Sequence, residues 1–109
     1  MTPRQHTDRI ISRIASVHGL TLAQVIEQDK RHSTAGPRHQ VWLDVCLELG
    51  WTTTQVGRRL NRDHTTIVYG RQRAASVRFG LPEKARWPEI KRAAFLSSGE
   101  LPGEQRRAA

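Results

Sequence analysis

Thr52-Thr53-Thr54-Gln55-Val56-Gly57-Arg58-Arg59-Leu60-Asn61-Arg62-Asp63-His64-Thr65-Thr66-Ile67 is the stretch on which the fold turns. Thr52 and Gln55 have the spacing of a capping box, in which each side chain satisfies an amide that a helix start leaves bare. A short helix follows, with Val56 and Leu60 facing inward. Asn61-Arg62 reads as a tight break. Asp63 then stands where an N-cap is wanted and opens a longer helix to about Val77, with Ile67, Gly70, Ala74 and Val77 on its inner side. Two helices joined by a tight turn, the second longer and basic, are the helix-turn-helix plan.

The flanking sequence supplies a helical frame for this motif. Ile10, Ile11, Ile14 and Val17 fall on one helical stripe, with Asp8 as a cap near its start and Gly19 as its stop. Thr21 and Gln24 repeat the capping-box spacing ahead of a short helix that buries Leu22, Val25 and Ile26. Asp29 to Pro37 is polar, basic and without periodicity, so it reads as a loop. Pro37 suits the first position of a third helix, where its missing N–H costs nothing. Val41, Trp42, Val45, Cys46 and Leu49 give that helix a wide apolar face, and Gly50 ends it. On the far side of the motif, Trp87-Pro88 starts a last helix through Ile90, Ala94 and Phe95. The expected fold is all-α, a small domain of about five to six helices over residues 1–96, with a flexible tail or linker over 97–109.

Composition narrows the partner. The 109 residues suit one domain, and the formal charge of +8 suits a polyanion. Between Gly57 and Arg92 ten basic residues face only Asp63, Glu83 and Glu89, a net of +7, so the surplus is concentrated around the motif. Cys46 is the single cysteine, it has apolar neighbours, and it reads as a small buried hydrophobe in a reducing compartment. No apolar run approaches the roughly 18 residues needed to cross a bilayer. The expectation is a cytoplasmic, nucleoid-associated protein without a membrane partner. Neither the histidines nor the carboxylates have metal-ligand or catalytic spacing, so no enzyme activity, metal, cofactor or small-molecule substrate is expected.

The first turn of the longer helix has the residues a major-groove reader needs. Thr65 and Thr66 offer methyl groups to thymine and hydroxyls to hydrogen bonds, His64 can donate to guanine, and Asp63 can accept from the amino group of cytosine. Arg58, Arg59, Arg62, Arg71 and Arg73 surround them as candidate phosphate contacts, joined by Lys30 and Arg31 from the basic loop.

Arg62-Asp63-His64-Thr65-Thr66-Ile67 resembles the signature of the C-terminal DNA-binding domain of the bacterial replication initiator DnaA. Gln55-Val56-Gly57, Ala35-Gly36-Pro37-Arg38 and His18-Gly19-Leu20-Thr21-Leu22 extend the resemblance, which covers about Ile10 to Val77. It implies base contacts for Asp63, His64 and Thr65, a base or backbone contact for Thr66, a minor-groove contact for Arg38, and an asymmetric target akin to a DnaA box. The basic loop is weaker than the family's, two connections are slightly shorter, and Gly70 replaces a small non-glycine residue. The initiator's phosphate-binding loop has no counterpart here. A stand-alone relative, or the N-terminal piece of a longer regulator, is therefore expected. Its expected role is transcription regulation on double-stranded DNA, in a prophage-like or gene-transfer element. The alternatives are control of a replication origin, or an adaptor that recruits RNA polymerase or another protein through Trp87, Ile90 and Phe95.

Overall fold

Three Thr-x-x-Gln pairs each start a helix. In the computed structural model, which describes residues 2–27 and 32–98, the hydroxyls of Thr2, Thr21 and Thr52 accept the amides of Gln5, Gln24 and Gln55 at 3.1–3.2 Å. Each Gln side-chain oxygen accepts the Thr amide in return, at 2.8–2.9 Å. Such a cap is worth about 1 kcal/mol. The helices they open are α1 (Pro3–Val17), α2 (Leu22–Ile26) and α4 (Thr53–Leu60). Asp8, expected to cap α1, lies inside it; the helix begins earlier because Thr2 and Gln5 complete a box and Pro3 holds the first position.

The remaining elements are α3 (His32–Leu49), α5 (His64–Phe79) and α6 (Trp87–Ser98), and among the described residues every regular element is a helix. Pro37, expected to begin α3, lies within it. Proline's fixed φ is itself helical, and near a helix start its missing N–H forfeits a single bond. The described part of the expected Asp29–Pro37 loop is thus helical from residue 32, and the rest of that loop lies outside the described residues. α6 begins at Trp87 as expected and continues to Ser98, two residues beyond the expected domain end; the tail expected from there on falls outside the described residues.

α3 is the central post. Val41, Trp42, Val45 and Cys46 pack with Ile11, Ile14 and Ala15 of α1, Val25 of α2, Val56 and Leu60 of α4, and Ile67 of α5. A second cluster joins Leu43 to Ala74 and Ala75 of α5 and to Ala85 and Ile90, and Trp87 packs against both clusters. Two residues placed on buried stripes lie outside. Val17 is exposed because the α1 stripe is centred on Ile11, Ile14 and Ala15, and about 100° per residue carries Val17 past its edge. Val77 is 79% exposed, because the inward face of α5 swings through Ala75 towards α6 and leaves Val77 on the opposite edge.

Polar links fix the angles between helices. Asp44 on α3 accepts Arg78 of α5 through both carboxylate oxygens, at 2.6 and 3.0 Å, and meets His18 Nε2 at the end of α1 at 2.6 Å. Burial alone would raise the Asp44 pKa, but Arg78 and then His18 outweigh it and hold the carboxyl below its ordinary value. No helix among the described residues is long and apolar enough to cross a membrane.

Candidate nucleic-acid interface

The turn between α4 and α5 is built from two backbone peculiarities. Asn61 adopts the left-handed conformation (φ 56°, ψ 50°), which Asn tolerates better than other side chains. Gly57 then lets the chain double back tightly. The Arg62 amide donates to the Gly57 carbonyl at 2.8 Å, and a Cβ on Gly57 would stand 2.5 Å from the Arg62 carbonyl oxygen. An open concavity of about 410 Å3, lined by Thr54, Arg58, Asn61 and His64 among others, marks the outer side of this turn.

Asp63, His64, Thr65 and Thr66 are all exposed on the first turn of α5. Asp63 has the extended backbone of an N-cap, but its carboxylate makes no capping bond to the helix. It accepts the Thr65 hydroxyl at 2.6 Å instead and has His64 Nδ1 at 3.2 Å. The Thr65 hydroxyl lowers the Asp63 pKa most, with the nearby His64 adding to it. The carboxylate is therefore a charged acceptor at the protein surface. Thr65, whose hydroxyl proton is committed to Asp63, is itself exposed.

The arginines divide into two sets. Arg59 donates from Nε and Nη2 to the two carboxylate oxygens of Asp8, at 2.6 and 2.7 Å, and so bolts α4 to α1. Arg62 turns back beneath the motif. Its Nη2 donates to the carbonyls of Val25, at 3.3 Å, and of Glu27, satisfying the bare carbonyl end of α2. Its guanidinium also lies 5.4 Å from the centroid of Trp42, where burial and then Arg38 lower its pKa. Arg71 stacks on Trp87 at 4.1 Å and points Nη1 at Cys46 Sγ, 3.8 Å away. These three were expected at phosphates; they are occupied as internal struts. Arg58 is exposed beside the turn, and Arg73 is half exposed, 3.5 Å from Glu83.

Arg38 is only 5% exposed, with Nε donating to the Gln24 carbonyl at 3.0 Å. In this conformation it ties α3 to α2 rather than extending outward, and a minor-groove contact would require that bond to break. Lys30 and Arg31 lie outside the described residues. Cations passed over in the sequence reading are exposed nearby: Lys84 and Arg86 project from the segment before α6. That segment is held along α5 by Gln72 Nε2, which donates to the Ala85 carbonyl at 3.2 Å. They were counted in the local charge, but nothing in the spacing distinguished them from solubilising residues.

The expected docking stripe of α6 is largely absorbed by the core. Ile90 is fully buried, and Trp87 is half-buried under Arg71. No protein-family model, no curated protein and no solved structure matches the chain.

Proposed function

We propose that this chain is a sequence-specific double-stranded-DNA-binding regulator, kin to the DNA-binding domain of the DnaA initiators. The observation that carries this reading is the first turn of α5, where Asp63, His64, Thr65 and Thr66 are exposed side by side while Arg62 braces the turn from behind. A helix of this kind enters the major groove by its N-terminal turn. There the Asp63 carboxylate accepts from the amino group of cytosine or adenine, and the threonine methyls meet thymine. Arg58, Arg73, Lys84 and Arg86, all exposed, contribute the phosphate contacts that position the helix without specifying sequence.

Selection of bound duplexes from a random pool tests the proposal. A defined, asymmetric sequence should emerge, and Thr65→Ala should cost roughly 1–3 kcal/mol on that sequence while sparing nonspecific binding. Recovery of no preferred sequence, or an equal loss on every duplex, would refute base reading by this turn.

A further inference from the structure

The outward face of α5 does not end with Thr66. Ile67, Gly70 and Ala74 are turned into the core, so at about 100° per residue the opposite line runs through Thr65, Tyr69 and Ser76. Tyr69 occupies the crest of that line and is 58% exposed. Of the four large apolar side chains that stand exposed among the described residues (Val17, Tyr69, Val77 and Leu96), it alone sits at that crest. Its ring is held rather than loose. His39 meets it edge-on, with centroids 6.1 Å apart at 87°, and His39 is in turn tilted against Trp42 at 5.1 Å. The Arg73 guanidinium lies 6.0 Å from the same ring.

We infer that Tyr69 is a specificity-determining residue, its ring selecting the 5-methyl group of a thymine deeper along the groove than the bases met by Asp63 to Thr66. This rests on the DNA-reading function proposed above. Tyr69 stands one helical turn beyond Thr65, about 6 Å along the axis, which is about two base steps on one strand. A convex helix meets the groove floor at its crest and the phosphate walls at its flanks. Tyr69 is at the crest, whereas Arg58, Lys84 and Arg86 are exposed on other segments, Arg58 on α4 and the other two ahead of α6. A ring already braced by His39 loses little rotational freedom on docking, so its contact is not offset by ordering. His39 adds no competing charge, because burial, followed by Arg73, Arg38 and Arg62, lowers its pKa and keeps the imidazole neutral.

The test starts from the duplex selected by the wild-type chain, with Tyr69→Ala and Tyr69→Phe compared on it. Wild type and Tyr69→Phe should both require thymine about two base pairs from the position sensitive to Thr65→Ala, and Tyr69→Ala should accept any base there. Replacing that thymine by deoxyuridine should weaken wild-type binding about fourfold, the worth of one buried methyl, and leave Tyr69→Ala unaffected. Equal deoxyuridine penalties in both proteins, or an unchanged thymine requirement in Tyr69→Ala, would overturn the assignment. So would an equal loss on all duplexes, which is the mark of a phosphate contact. Helical circular dichroism of Tyr69→Ala should match wild type, because the ring is mostly outside the core. If the wild-type chain itself enriches no sequence, the failure belongs to the proposed function and not to Tyr69.

Discussion

Gly70→Ala sets two well-known effects against each other. Glycine inside a helix costs about 1 kcal/mol relative to alanine, so propensity alone predicts a more stable protein. The surroundings of Gly70 predict the reverse. A Cβ there would lie 2.8 Å from His39 Cδ2, and closer still to two carbons of the Trp42 ring. Trp42 is 3% exposed. Its ring has the Arg62 guanidinium at 5.4 Å and the His39 ring at 5.1 Å, so it has little room to withdraw. Forcing a methyl group into such a contact costs about 1–3 kcal/mol. A rigid indole against a backbone-fixed Cβ belongs at the upper end, about 3 kcal/mol, which leaves a net loss of about 2 kcal/mol after the propensity gain. At roughly 4 °C per kcal/mol for a domain of this size, Tm should fall by about 8 °C. Thermal unfolding followed by circular dichroism measures it. Gly36→Ala, also within a helix but with nothing within 4 Å of its Cβ, should raise Tm, by up to about 1 kcal/mol of stability. A rise in Tm for Gly70→Ala would refute the argument that Trp42 excludes a side chain at this position.

Other substitutions separate surface charge from internal struts. Arg58→Ala should reduce the slope of log K against log salt by about 0.9, the share of one phosphate. Arg59→Ala should leave that slope unchanged and lower Tm, because it strands Asp8 beside α4; a matching loss of slope would show that Arg59 leaves Asp8 to meet DNA. Asp44 gives an acid dependence of definite sign. Its carboxyl is held below its ordinary value in the folded chain, so its pairing stabilises fully above the unfolded pKa of about 3.9 and is lost as pH falls through the lower folded value. The Tm of Asp44→Asn should accordingly vary less with pH below about 4 than that of wild type, and parallel acid limbs would contradict the pairing. Cys46 is buried, and that burial, only partly offset by Arg71, pushes its thiol pKa up. Native protein should label slowly with a thiol reagent and rapidly once unfolded; fast native labelling would mean that the α3 core opens.

Local chemistry was legible where it is written in short spacings. Thr52 with Gln55, Thr21 with Gln24, and the Asn61-Arg62 break fixed two helix starts and the motif's turn, because a cap and its partner are three residues apart. The apolar repeat from Val41 to Leu49 likewise announced the central helix. What stayed hidden depends on partners far along the chain. Arg59 reads as a phosphate contact until Asp8, 51 positions away, takes it. Arg62 and Arg71 look equally available until the carbonyls of α2 and the ring of Trp87 are beside them. The departure at Gly70 is explained only by the Trp42 ring lying on it. Val77 fits a helical stripe, yet among the described residues it stands mostly exposed, since periodicity marks a face without telling where the neighbouring helix ends. Of the proposed reading turn, sequence named all four residues and structure added their exposure and the Asp63–Thr65 bond.

The split of α5 into a buried inner line and an exposed outer one has a consequence for protein engineering. Ile67, Gly70, Ala74 and Ala75 are locked to their neighbours, so variation there is filtered by folding before any binding is tested. Thr65, Thr66 and Tyr69 lie outside that line and are exposed. A combinatorial library confined to those outer positions, with Gly57, Arg62 and Trp42 left untouched, should retain its fold across most members. The helix can then be treated as a replaceable cassette, its outer surface rewritten while the other described helices serve as an unchanged chassis.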